Sequence, residues 1–166
     1  MTDTIVIIRG NSGSGKTTVA KKLCGELGSD CMLLSQDVIR REILHTKDGK
    51  NSAAVDLLKN LVVFGKEHSK IVILEGILNS CWYKPLFDTI QKNFKNIYVY
   101  YYLLPFDETV KRFHTKCNTD YTEQDMERWW NERDLLGLDN EKIISKDMSV
   151  NDTVKMILND TKRQSM

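Results

Sequence analysis

Between the apolar run Thr4 to Ile8 and the helix-spaced residues Val19, Leu23 and Leu27, the chain reads Gly10-Asn11-Ser12-Gly13-Ser14-Gly15-Lys16-Thr17. This is the pattern G-x-x-x-x-G-K-[ST], set between a strand and a helix. It constrains the fold more than any other segment because its physics needs that placement. Glycines let successive backbone N–H groups converge on an anion, and the helix beyond them adds the positive end of its dipole at the same point. The expected guest is a polyphosphate. Lys16 supplies a point charge for the β and γ phosphates, the Thr17 hydroxyl is placed to ligate Mg²⁺, and Thr18 belongs to the same turn.

The rest of the chain alternates in the same way. Short apolar runs at Cys31 to Leu34, Ile71 to Leu74, Asn96 to Leu104 and Lys142 to Ile144 read as four further strands. Helical spacing falls in Asp37 to Leu44, Ser52 to His68, Trp82 to Phe94, Phe106 to Cys117, part of Tyr121 to Leu136, and Ser149 to Asp160. Strands apolar throughout and alternating with helices predict a parallel sheet covered on both faces, a three-layer α/β fold. With 166 residues and no linker-like tract, residues 1–166 read as one domain, with residues 112–136 as a lid segment.

Composition removes several classes of function. A formal net charge of +1 offers no broad basic surface for a nucleic acid or an acidic membrane. The longest strongly apolar run, Ile97 to Leu104, is far short of the roughly 20 residues that cross a bilayer. The first residues lack a basic region, an apolar region and a small-residue cleavage site, so the expected location is cytoplasmic. Cys24, Cys31, Cys81 and Cys117 form no C-x-x-C pair and read as buried, reduced thiols.

In open α/β sheets ligands sit beyond the carboxyl ends of the strands, so the residues just past each strand carry the chemistry. Ser35-Gln36-Asp37 comes after the second, with Arg40 and Arg41 three and four residues beyond Asp37 on one helix face. Asp37 can take the proton of an attacking hydroxyl, and the arginines can hold an anionic part of the acceptor. A helix-capping Asp with a surface ion pair accounts for the same letters. Glu75-Gly76 comes after the third strand. Glu75 can hold Mg²⁺ through water, orient the acceptor, or merely cap a helix. Lys111, Arg112, His114 and Lys116 come after the fourth, with Arg128 and Arg133 beyond, where cations can close over a transferring phosphoryl group. His114 reads as a surface histidine. Trp129 and Trp130, adjacent on an expected helix, are about 100° apart and so cannot both face one ligand.

Ile5 to Thr18, Gln36-Asp37-Val38-Ile39-Arg40, and Leu104 to Arg112 together resemble P-loop kinases of the polynucleotide kinase, zeta toxin and antibiotic phosphotransferase group, which share a D-x-x-R after the second strand. The resemblance implies the P-loop fold with a five-stranded parallel sheet and a helical lid, with ATP and Mg²⁺ as cofactors. Asp37 would be the general base, Arg40 the partner of the acceptor's phosphate or its surroundings, and Arg112 a contact to the ATP phosphates. Polynucleotide kinases tend to carry Asp-Thr-Asn-like residues after the third strand, whereas this chain has Glu75-Gly76-Ile77-Leu78-Asn79. That departure points to a small hydroxyl acceptor, nucleoside-like or sugar-like. The alternatives are a polynucleotide 5′-hydroxyl kinase and a nucleotide-binding switch without an acceptor.

Overall fold

The computed structural model describes residues 1–117 and 119–162; Asn118, inside the expected lid, lies outside the described residues. Strands β1 (Thr4–Gly10), β2 (Cys31–Ser35), β3 (Ile71–Gly76), β4 (Asn96–Tyr102) and β5 (Lys142–Ile144) form one parallel sheet in the order β2-β3-β1-β4-β5. The helices are α1 (Lys16–Leu27), α2 (Gln36–Val38), α3 (Ala53–His68), α4 (Lys84–Asn93), α5 (Phe106–His114), α6 (Glu123–Arg128) and α7 (Val150–Lys162). A π-helical turn, Ile39–Ile43, continues α2.

Alternation along β1 explains the layers. Ile5 and Ile7 join Leu58, Val62, Leu86 and Ile90 of α3 and α4, while Val6 and Ile8 join Leu23, Val154 and Ile157 of α1 and α7. Both faces of the strand are buried, which is why it is apolar at every step rather than at every second one. Each side chain so buried contributes about 1.5–3 kcal/mol of transfer free energy. Parallel register then aligns the strand ends: Ser35 lies opposite Glu75, Arg9 opposite Gly76, and Gly10 opposite Tyr102. The loops that carry chemistry therefore leave one edge of the sheet side by side.

All five expected strands are present, and the differences lie in the helices and their ends. The segment expected as a helix over 106–117 stops at His114, where the Thr115 hydroxyl donates to the Arg112 carbonyl at 2.7 Å. Arg112 and Lys116 consequently do not share a helix face. The 121–136 segment is helical only over Glu123–Arg128, started by a capping box in which Thr122 and Asp125 bond each other's backbone N–H. Trp129 therefore lies past the helix end, and the 100° separation expected for Trp129 and Trp130 does not apply. Cys81 and Cys117 are exposed and Cys24 and Cys31 half-buried, so these thiols are free but not buried. Cys81 precedes α4 and Cys117 follows α5, outside the packed elements, whereas Cys24 and Cys31 pack at the edge of the core. Among the described residues no helix is long and apolar enough to cross a membrane.

Candidate active site

At the end of β1 the backbone turns through Gly13 at φ 77°, a left-handed conformation that L side chains rarely adopt; a Cβ there would also stand 2.7 Å from the Thr109 carbonyl oxygen. The turn folds Lys16 back over its own loop. The Lys16 ammonium donates to the Asn11 carbonyl at 2.7 Å and to the Ser14 hydroxyl at 3.3 Å. It is buried and, among the described residues, has no carboxylate within ion-pair distance. Burial lowers its pKa to about 8, opposed by the nearby charges of Glu75 and Asp37 and reinforced by Lys116. A buried cation paired only with neutral oxygens is costly unless an anion completes it. This loop therefore fits a polyphosphate tail on its own geometry.

Beside it, the Thr17 hydroxyl donates to Glu75 Oε1 at 3.1 Å, and the Ser35 hydroxyl donates to the same oxygen at 2.5 Å. Glu75 is 2% exposed on β3, so it caps no helix. Among the described residues no cluster of three His, Cys, Asp or Glu side chains could hold a metal by itself. A hydroxyl and a carboxylate suit Mg²⁺ nonetheless, because that ion keeps several waters and draws further oxygens from phosphates.

Asp37 lies in the first turn of α2, whose N-cap position belongs to Ser35, so the carboxylate is not a helix cap. Its Oδ1 accepts from Arg40 Nη2 at 2.8 Å and from Arg41 Nε at 3.0 Å. With its side chain 56% exposed, this is a solvated ion pair worth little stability, about 0–1 kcal/mol. Its interest is positional. Asp37, Arg40 and Arg41 line a cavity of about 720 Å³ together with Lys16, Thr17 and Glu75. The Arg41 guanidinium also meets Asp120 at 2.8 Å and stacks over the rings of Tyr121 and Trp129 at 5.6 and 5.9 Å, drawing the 119–136 segment across the opening.

That segment returns to the sheet through two contacts. The Asn11 side chain pairs with the Asn131 backbone, donating to its carbonyl at 2.7 Å and accepting from its N–H at 2.9 Å. Arg9, fully buried, donates to the Asp134 carboxylate and carbonyl, each at 2.7 Å, to the Leu78 carbonyl at 3.0 and 3.2 Å, and to Glu141 at 3.4 Å. Desolvation pulls its pKa down, but two carboxylates and the rings of Phe87 and Tyr101 hold the charge in place. Arg9 was recoverable from sequence: a lone arginine ending a run of buried aliphatics must find carboxylates.

Of the residues singled out by sequence, Ser12, Gly13, Lys16, Thr17, Asp37, Arg40, Arg41 and Glu75 all line this one cavity. Trp129 and Trp130 line it as well, contrary to the helical expectation. Arg112 is placed differently: its Nη1 donates to the Ser14 carbonyl at 2.8 Å and its Nε to Glu108 at 3.0 Å, so it braces the loop's backbone. His114 is exposed and pairs with Glu123. Asp48 and Trp82 are cavity residues that no contiguous motif marks, and Gln36 and Asn79, though they stand inside quoted segments, had no role assigned to them.

A sequence-family model described as an AAA domain matches residues 5–127. No relative among curated proteins matches. Among solved structures, a gluconokinase from Sinorhizobium meliloti 1021 superposes with a TM-score of 0.69 at 11% identity, over 98% of this chain and 93% of that one. The APS kinase of Mycobacterium tuberculosis in complex with AMPPNP and APS gives 0.69 at 16% identity, over 96% and 97%. The tunicamycin resistance protein of Deinococcus radiodurans gives 0.65 at 16% identity, over 96% and 95%. At such identities the likeness establishes the fold, that of the P-loop kinases.

Proposed function

This chain belongs to the AAA domain family of P-loop proteins, and from that premise we propose that it is an ATP-dependent kinase that moves the γ-phosphate to a hydroxyl of a small molecule, nucleoside-like or sugar-like. The reading is carried by one observation: the buried Lys16 ammonium, completed only by neutral oxygens, opens on the same cavity as the half-exposed carboxylate of Asp37.

Residues Gly10 to Thr18 hold the triphosphate, with backbone N–H groups on its oxygens and Lys16 on the β and γ phosphates. Thr17 and Glu75 would hold Mg²⁺, which when bound would neutralise charge on the phosphates. Asp37 accepts the proton of the acceptor hydroxyl as its oxygen bonds to the γ-phosphorus and the bond to the β-phosphate oxygen breaks, releasing ADP. Arg40 and Arg41 hold Asp37 in place and offer their remaining N–H groups to the acceptor. Arg112 steadies the loop against the phosphates. Residues 1–166 act as one kinase domain in which the 112–136 segment is the lid, excluding water during transfer. A cytoplasmic setting, where ATP is abundant, suits this chemistry.

The test is a coupled ADP-release screen over nucleosides, sugars, sugar acids, and aminoglycoside or nucleoside antibiotics. The expected result is acceptor-dependent ADP release from at least one member. A 5′-hydroxyl oligonucleotide with labelled ATP is the control, and label transfer to it in preference to every small molecule would replace the reading by a polynucleotide kinase. Hydrolysis indifferent to all acceptors would contradict both.

A further inference from the structure

The cavity wall also carries a hydrogen-bonded ring with no place in the mechanism above. Gln36 is 2% exposed, and its amide nitrogen donates twice, to Asp48 Oδ2 at 3.0 Å and to the Tyr83 hydroxyl at 2.9 Å. Tyr83, wholly buried, donates its own proton to Asp48 Oδ1 at 2.7 Å, and the Gly49 N–H donates to the same oxygen at 3.0 Å. Burial, and then the Asp48 carboxylate, push the Tyr83 hydroxyl well above the ordinary phenol range, which keeps it a donor.

Counting donors settles what this ring can recognise. Both N–H groups of Gln36 and the one O–H of Tyr83 are consumed inside the ring, and Asp48 has none to give when ionised. The amide cannot be flipped, because its oxygen would then face the carboxylate. What is left over is acceptor capacity: the Gln36 carbonyl oxygen, which receives no hydrogen bond among the described residues, and a remaining lone pair on Asp48. Gly76 leaves that carbonyl uncovered, since a Cβ there would stand 2.8 Å from Gln36 Oε1 and 2.6 Å from Gln36 Cβ. Gln36, Asp48 and Gly76 all line the cavity, on the same wall region as Asp37 and Arg40.

We propose that this wall reads a hydrogen-bond donor on the acceptor, so that the acceptor is a polyol or amino alcohol carrying a second hydroxyl or amino group besides the hydroxyl that is phosphorylated. The inference rests on the kinase reading and narrows it. An anionic group is repelled by Asp48 and attracted by Arg40, Arg41 and Lys47, which line the same cavity, so a molecule that carries both an anionic group and a further donor is served by both. A single-hydroxyl alcohol leaves the Gln36 carbonyl unpaired once water is expelled, and unpaired buried groups are what make hydrogen-bonding sites selective.

The experiment compares acceptors with partners stripped of their further donors, D-gluconate against 6-hydroxyhexanoate, with any other hit of the screen treated alike. Initial rates with the full chain are expected to give a kcat/KM at least about 10-fold lower for the stripped member, the scale on which a lost hydrogen bond discriminates. Asp48→Asn and Gln36→Met are each expected to shrink that ratio, mainly by raising the KM of the polyol, with the KM for ATP unmoved. A purely structural role for the ring would lower rates for both members equally and leave the ratio intact. Equal use of stripped and intact acceptors by the unmodified protein, or an undiminished ratio in both variants, would overturn the proposal. Bound AMPPNP with transfer to no acceptor at all would overturn the kinase reading itself, and this proposal with it.

Discussion

The phosphate loop and the proposed acceptor wall open on one cavity, yet the first is eight consecutive residues, Gly10 to Thr17, and the second gathers Gln36, Arg40, Asp48, Asn79, Trp82 and Trp129 from separate stretches of the chain. The loop works through backbone N–H groups and a dipole, which any chain with those glycines reproduces. The wall works through side chains whose neighbours are set by the fold. The loop is rigid by construction, held by the Ser14 hydroxyl on the Asn11 carbonyl at 2.7 Å and by Arg112 on the Ser14 carbonyl. The wall is assembled across the 119–136 segment, which is pinned at one end by the buried Arg9 and Asn11 contacts and latched at the other by half-exposed Arg41. On the proposed kinase reading, donor binding would be constant and acceptor binding variable.

The comparison predicts different kinds of failure. Lys16→Ala removes the one charge the loop supplies; phosphoryl transfer should fall by about 10³ or more, the scale of losing a charge-stabilising group, and AMPPNP titration should show weakened binding. Near-normal AMPPNP affinity in that variant would break the claim that the loop is the donor site.

Asp134→Ala acts on the other side. It leaves the buried Arg9 guanidinium with Glu141 at 3.4 Å as its remaining carboxylate, and should cost about 3 kcal/mol, as broken buried pairs do. Urea unfolding measures this, and a loss below about 1 kcal/mol, the scale of an exposed pair, would mean that the segment is not pinned there.

A pH effect separates the two regions further. The Lys16 pKa is lowered from 10.5 to about 8 in the folded chain, so between pH 8 and 10.5 the unfolded chain binds more protons and stability rises with pH. Without nucleotide, stability should therefore be penalised below about pH 8 and recover through that window, by an amount that Lys16→Met abolishes. AMPPNP affinity should fall as pH rises above about 8, because the ammonium loses its proton. A flat response in both measurements would contradict the buried, unpaired ammonium.

The smallest expected effect is dynamic. Amide hydrogen exchange in residues 123–128 should slow when AMPPNP binds, while the 131–137 region, already held by Asn11, Arg9 and Glu141, should change less. Equal slowing at both ends would mean that the segment moves as a whole.

How far the sequence could be read obeys the same division. All five strands were legible, β1 and β3 because burial on both faces makes them apolar throughout and the half-exposed edge strand β5 only through Ile143 and Ile144, and the loop was legible because its residues are contiguous. Helix ends were not, since the stop at His114 and the start at Glu123 depend on a few local side-chain bonds, of Thr115 at the one and of Thr122 and Asp125 at the other. With the short helix over by Arg128, Trp129 and Trp130 come to share a cavity that helical geometry denies them. The pairing of Gln36 and Asp48 was not legible for another reason: their common partner Tyr83 lies 47 and 35 residues away along the chain.

The central claim is that Asp37 takes the proton of the acceptor hydroxyl while the loop holds the donor. It is tested most directly by measuring transfer and AMPPNP affinity side by side in Asp37→Asn, with an acceptor found in the screen. The expected result is a rate lower by about 10² or more, the scale of losing a general base, with AMPPNP affinity within a few-fold of the unmodified protein. An unchanged rate of transfer, with AMPPNP bound as before, would contradict it.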